Sequence, residues 1–159
     1  MSVQIRPATR DDVPAIAELI RGLARYEKLE NDVVMTEALL DKALFGDRQY
    51  AEVLLAALDG RPVGFALFFH NFSTFLGRPG IYLEDLFVLP GQRGRGIGRT
   101  LLTHLAQIAV ERDCGRLEWA VLDWNRDAIG FYERIGARPN SEWTVYRLAG
   151  EALTGLAGQ

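Results

Sequence analysis

Cysteine occurs once in the 159 residues, as Cys114, and histidine twice, as His70 and His104. A lone thiol excludes an intramolecular disulfide, and three such ligands cannot build a Cys-rich or His-rich zinc site, so no metal is expected. Cys114 precedes Gly115 at the end of a helical pattern and reads as a small buried hydrophobe with no catalytic role. Long apolar runs are missing as well. The longest stretches, such as 53–58 and 65–69, fall far short of the roughly 20 residues that cross a bilayer, so no membrane partner is expected. The first twenty residues interrupt their apolar positions with Arg6, Arg10, Asp11, Asp12 and Glu18, which is not a signal-peptide core and points to the cytoplasm. Excess positive charge is absent too. Eighteen basic against twenty-one acidic side chains leave a net charge of −3, with no global field to draw in a nucleic acid. Any anion site must be local.

What is present is a globular composition, 48 % hydrophobic and 25 % charged, in a chain of one-domain size. No repeat or linker divides it. Residues 1–150 read as a single domain and 151–159 as a short, frayed small-residue tail. Val3, Ile5 and Pro7 suggest a first strand, and Thr9 with Asp12 a helix cap. The helix carries Val13, Ile16, Ala17, Ile20, Leu23 and Ala24 at helical spacing and runs to about Lys28. Thr36 opens a second helix that Gly46 closes. Residues 50–58 and 63–69 form a hairpin about Asp59-Gly60. Residues 71–80 read as a loop and 81–89 as a strand with Glu84 and Asp85 in its middle, an expensive place for two carboxylates. A glycine-rich turn leads into a third helix through Leu101, Leu102, Leu105, Ile108 and Ala109. Strands at 117–122 and 143–148 flank a short helix over 125–135. The sum is a mixed α/β fold with helices on both faces of a central sheet.

Between strand and third helix stands Gln92-Arg93-Gly94-Arg95-Gly96-Ile97-Gly98-Arg99. Glycines let backbone N–H groups approach an anion, and the following helix offers its positive end, so this is a pyrophosphate cradle with three arginines. A P-loop would need Lys and then Ser or Thr after Gly96, where Ile97 and Gly98 stand. A dinucleotide fingerprint would need a small residue at Arg99.

Arg93-x-x-Gly96-x-Gly98 after an apolar strand resembles the acyl-coenzyme A loop of the GNAT N-acetyltransferase superfamily. Asn125-x-x-Ala128-x-x-Phe131-Tyr132-x-x-x-Gly136-Ala137 is similar to its next motif. More narrowly, residues 23–27 (Leu-Ala-Arg-Tyr-Glu) and 82–88 (Tyr-Leu-Glu-Asp-Leu-Phe-Val) resemble the diamine acetyltransferases of spermidine/spermine and thialysine. The resemblance implies a mostly antiparallel twisted sheet with a splayed pair of strands, acetyl-CoA as co-substrate, and a homodimer. Leu86, Phe87 and Val88 would bind the pantetheine arm, residues Arg93, Gly94, Arg95, Gly96, Ile97, Gly98 and Arg99 the pyrophosphate, and Asn125 the cofactor arm.

A lysine-like amine is less than about one part in a thousand neutral at pH 7, so its proton must be removed. The resemblance gives that role to Glu84, directly or through a water. In a regular strand Asp85 points to the opposite face and attracts the cationic substrate, although a bulge changes which carboxylate faces the site. An ion pair with a nearby arginine would account for the pair structurally. Tyr132 is the expected acid for the departing thiolate, and a core aromatic otherwise. Tyr26 and Glu27 would surround the amine, or belong to a solvated face, and Trp143 caps the pocket or fills the core. Ser73 and Phe75 stand where the polyamine enzymes have an acidic residue and a tryptophan, which favours a shorter amine. The reading is therefore direct acetyl transfer to a small primary amine, with a catalytically silent acyl-CoA-binding regulatory module as the alternative.

Overall fold

The computed structural model describes residues 2–159. Five strands make one sheet in the order β1 (Val3–Pro7), β2 (Glu52–Leu58), β3 (Arg61–Ser73), β4 (Arg78–Val88) and β5 (Leu117–Trp119). The first four pair antiparallel in succession, and β5 joins β4 in parallel. The helices are α1 (Val13–Tyr26), α2 (Glu37–Phe45), α3 (Ile97–Glu111), α4 (Arg126–Arg134) and α5 (Gly150–Ala157). The chain divides into two compact units, Met1–Ala120 with the sheet and α1 to α3, and Val121–Gln159 with α4 and α5. Among the described residues no helix is long and apolar enough to cross a membrane.

Entry into α1 is fixed by Asp12. Its carboxylate accepts the Thr9 N–H at 2.7 Å and two hydrogen bonds from the Arg6 guanidinium at 2.7 and 2.9 Å, tying the helix start to β1. That arginine holds the Asp12 carboxyl down to about 2. One face of α1, with Val13, Ile16, Ala17, Leu19 and Leu23, then packs with Leu40 and Leu44 of α2 onto Val53, Leu55, Phe65 and Phe87 of the sheet. Thr36 Oγ1 accepts the Leu39 N–H to start α2. Gly46 ends it by close approach, since a Cβ there would lie 2.3 Å from the Lys42 carbonyl oxygen. On the opposite face α3 buries Ile97, Leu101, Leu102, Leu105 and Ala109. Asp59 and Gly60, at φ +50° and +79°, make the tight turn between β2 and β3.

Several local expectations change. The loop at 71–80 shrinks to 74–77, because β3 and β4 stay paired through Asn71–Gly80, Phe72–Pro79 and Ser73–Arg78. Backbone ladders continue here where the apolar pattern has already stopped. The strand at 117–122 ends at Trp119, and none forms at 143–148, where Val145 and Tyr146 are exposed. A strand requires a neighbouring edge, which a local pattern does not reveal. Trp143 is 76 % exposed and fills no core. The segment read as a frayed tail forms α5, in keeping with the helix propensity of its Ala and Leu residues.

Candidate active site

The centre of β4 is irregular. Phe68 pairs with Leu83 and Leu67 with Asp85, so Glu84 is an extra residue with no opposite number on β3, a β-bulge. Tyr82, Asp85 and Phe87 pair with Phe69, Leu67 and Phe65, which places all three on one face, the face that α1 covers. At Gly22 of α1 a Cβ would come within 3.0 Å of the Phe87 ring, so the helix crosses at contact distance. Asp85 is thus turned toward the end of α1 and half-buried, while Glu84 is exposed on the bulge. The two carboxylates do not take the opposite faces that a regular strand would give them.

Burial, with the negative charges of Glu84 and Glu27, pushes the Asp85 carboxyl up to about 7. Burial also raises Glu27. Tyr82 lies beyond Glu84 on the same strand, its ring tilted against Phe69 at 5.4 Å between centroids. Its hydroxyl is raised above the ordinary value by burial and by the charges of Glu84 and Glu118. Residue patterns missed Tyr82, Phe69 and Glu118, and only the strand register could have found them.

Pairing between β4 and β5 stops at Leu83–Trp119. From Glu84 to Val88 the strand keeps β3 on one side and, among the described residues, has no strand on the other, so that the edge at Leu86, Phe87 and Val88 is open. The edge runs into the glycine loop. Arg93 spans the junction: its guanidinium lies 4.3 Å from the Tyr26 ring centroid and 5.5 Å from that of Phe87, and its Nε donates to the Val88 carbonyl at 3.0 Å. The Arg93 side chain is thus engaged with protein. Gly94 and Gly96 sit at φ +81° and +77°, and Gly96 caps α3. The N–H groups of Ile97, Gly98 and Arg99 open that fifteen-residue helix, so they lack intrahelical acceptors. Ile97 is buried and anchors the turn, leaving its N–H for a ligand, whereas Arg95 and Arg99 are exposed. Gln92 Oε1 is buried at the base of the loop without a partner among the described residues. The loop, the helix start and the open edge together suit a phosphate-bearing ligand with an extended arm.

In the second unit Asn125 starts α4, its Oδ1 accepting the Ala128 N–H at 3.3 Å. Tyr132 stands on that helix, half-buried and tilted against Phe131 at 5.6 Å. No group of three or more metal-ligating side chains is found among the described residues.

Residues 16–137 match the acetyltransferase (GNAT) family, and the chain belongs to it. It is an acetyltransferase, and enzymes of this family use acetyl-CoA as co-substrate. It is 39 % identical over 168 residues to the thialysine N-epsilon-acetyltransferase of Bos taurus, covering 99 % of this chain and 98 % of that protein. It is 34 % identical to the L-ornithine N5-acetyltransferase of Arabidopsis thaliana, covering 98 % of this chain and 88 % of the other. Among solved structures, an integron cassette protein from the mobile metagenome of V. cholerae aligns with a TM-score of 0.83 at 32 % identity, over 100 % of this chain and 99 % of that one.

Proposed function

We propose that the enzyme moves the acetyl group of acetyl-CoA directly to a terminal primary amine of a small diamino compound, of the size of thialysine or ornithine, on which the relatives named above act. The observation that carries this reading is the β4 bulge, which sets Glu84 and Asp85 beside the open edge leading to the glycine loop. The glycine-loop and helix N–H groups hold the pyrophosphate, and the free backbone edge at Leu86, Phe87 and Val88 holds the pantetheine arm. The bound thioester supplies the acetyl group. Glu84 attracts the ammonium group and takes its proton, directly or through a water. Asp85, pushed up by burial and by the charge of Glu84, adds negative charge beside it when it ionises. The neutral amine then forms a C–N bond as the C–S bond breaks, Tyr132 donates its proton to the thiolate, the role its motif implies, and the proton shed by the acylated nitrogen restores the phenol through solvent. Tyr26 and Glu27 border the amine. No observation favours a silent acyl-CoA-binding module. A homodimer is part of this proposal, supported by the exposed Trp143, Val145 and Tyr146, and light scattering measures it.

The test is calorimetric titration with acetyl-CoA followed by thiol release against diamines, basic amino acids and monoamines. Binding with amine-dependent release is expected. Tyr132→Phe should lower kcat about a hundredfold with acetyl-CoA affinity kept. Unchanged turnover in that variant removes Tyr132 as the acid, and absence of acetyl-CoA binding overturns the whole reading.

A further inference from the structure

We infer that Glu118 is a specificity-determining residue for the acceptor, its carboxylate receiving a second cationic group while the reacting amine lies at Glu84. The inference deepens the transferase reading and rests on it. Glu118 stands on β5 directly beside Tyr82 in the parallel ladder, so the two side chains share a face, the one that carries Asp85 and Phe87. Strand spacing and two residues along β4 put the backbones at Glu84 and Glu118 roughly 8 Å apart. Tyr82 lies between them, and its ring with that of Phe69 makes an apolar floor for a short methylene chain.

The carboxylate is held in place from both sides. Asn71 Nδ2 donates to Glu118 Oε1 at 3.2 Å, and Arg116 Nε approaches the same oxygen at 3.2 Å. Asn71 belongs to β3 and reaches Glu118 across β4 at Gly80. A Cβ on Gly80 would lie 2.5 Å from Asn71 Oδ1, so the bridge depends on the missing side chain. Both contacts fall on Oε1, which leaves Oε2 without a partner among the described residues. Arg116 cancels part of the charge, and its side chain is 49 % exposed, so an arriving ammonium group competes with a solvated and movable cation. Glu84, Asp85 and Glu27 add negative charge along the strand and at the end of α1, and the Arg93 guanidinium over Phe87 and Tyr26 adds a positive one. A monoamine can use the bulge alone, whereas a diamine or an amino acid with a terminal amine engages both ends of the floor.

The experiment compares KM for a straight-chain diamine with KM for the monoamine of the same length in the full-length enzyme. In Glu118→Gln the diamine-to-monoamine KM ratio should rise about tenfold, the size of one lost charge-assisted hydrogen bond. In Arg116→Met, which releases Glu118 from its competitor, the same ratio should fall. A purely structural role would shift both variants in one direction and both amines alike, and that result overturns the inference. So does an unmoved ratio in Glu118→Gln with acetyl-CoA affinity intact. If the unmodified enzyme transfers to no amine at all, the transferase reading fails with it, which is a different outcome.

Discussion

Asp85 and Glu84 are adjacent in the chain, yet the bulge gives them different surroundings, one turned under the end of α1 and the other left in water. The adjacency is legible in sequence, and so is the cost of two carboxylates in a strand. The extra residue is not, because its cause is the pairing with Leu67 and Phe68, more than fifteen positions away. Burial under the end of α1 pushes the Asp85 carboxyl up to about 7. It follows that kcat/KM should climb as the pH passes through about 7, because ionised Asp85 adds a second negative charge beside the ammonium group. Asp85→Asn should flatten that limb and lower the rate above it by up to about tenfold, the size of one lost charge-assisted contact to the substrate ammonium group. A full pH–rate profile checks this, and a limb that survives in Asp85→Asn assigns the titration to another group.

At the level of elements, the glycine loop and the start of α3 were readable because strand, glycines and helix are consecutive. Of the two left-handed glycines of the loop, Gly96 is a motif position and Gly94 is not. A Cβ at Gly96 would meet nothing within 4 Å, so a side chain there meets no clash in the protein itself. Gly96→Val should therefore pay only the left-handed backbone strain, about 1–2 kcal/mol, and keep its fold. Its β-branched side chain and altered φ would instead disturb the N–H array at the helix start. Calorimetry should show acetyl-CoA affinity falling more than tenfold while the melting temperature drops by about 2–8 °C, the amount that backbone strain implies in a chain of this length. Normal affinity would mean that the loop does not hold the pyrophosphate. Elements defined by partners were harder to read. The hairpin overhang beyond His70, the early end of β5 and the unpaired 143–148 segment all depend on which edge is near, and no local pattern carries that.

For the molecule as a whole, the raised Asp85 carboxyl works against stability. A carboxyl that ionises later in the folded chain than in the unfolded one contributes its full share below about pH 4. That share declines as the pH rises toward 7, by an amount on the order of a few kcal/mol. Asp12 has the opposite sign: held down to about 2, it stabilises above the ordinary carboxylate range and loses that effect as the pH falls toward 2. Thermal melts from pH 5 to 8 should show a falling midpoint in the unmodified enzyme and a flatter, higher one in Asp85→Asn. Equal slopes would place the burial cost elsewhere. Mixed α/β class, helix faces and hairpin order were all legible at this scale, since apolar period and turn residues are local. Strand register was not. The same register has a consequence for the numbering of the chain. Leu83 and Asp85 face consecutive residues of β3, so without Glu84 the ladder would run through unbroken, with Tyr82, Asp85 and Phe87 each keeping its face. The carboxylate proposed to take the proton is in effect a single inserted residue, so the scaffold can be kept while that position is changed.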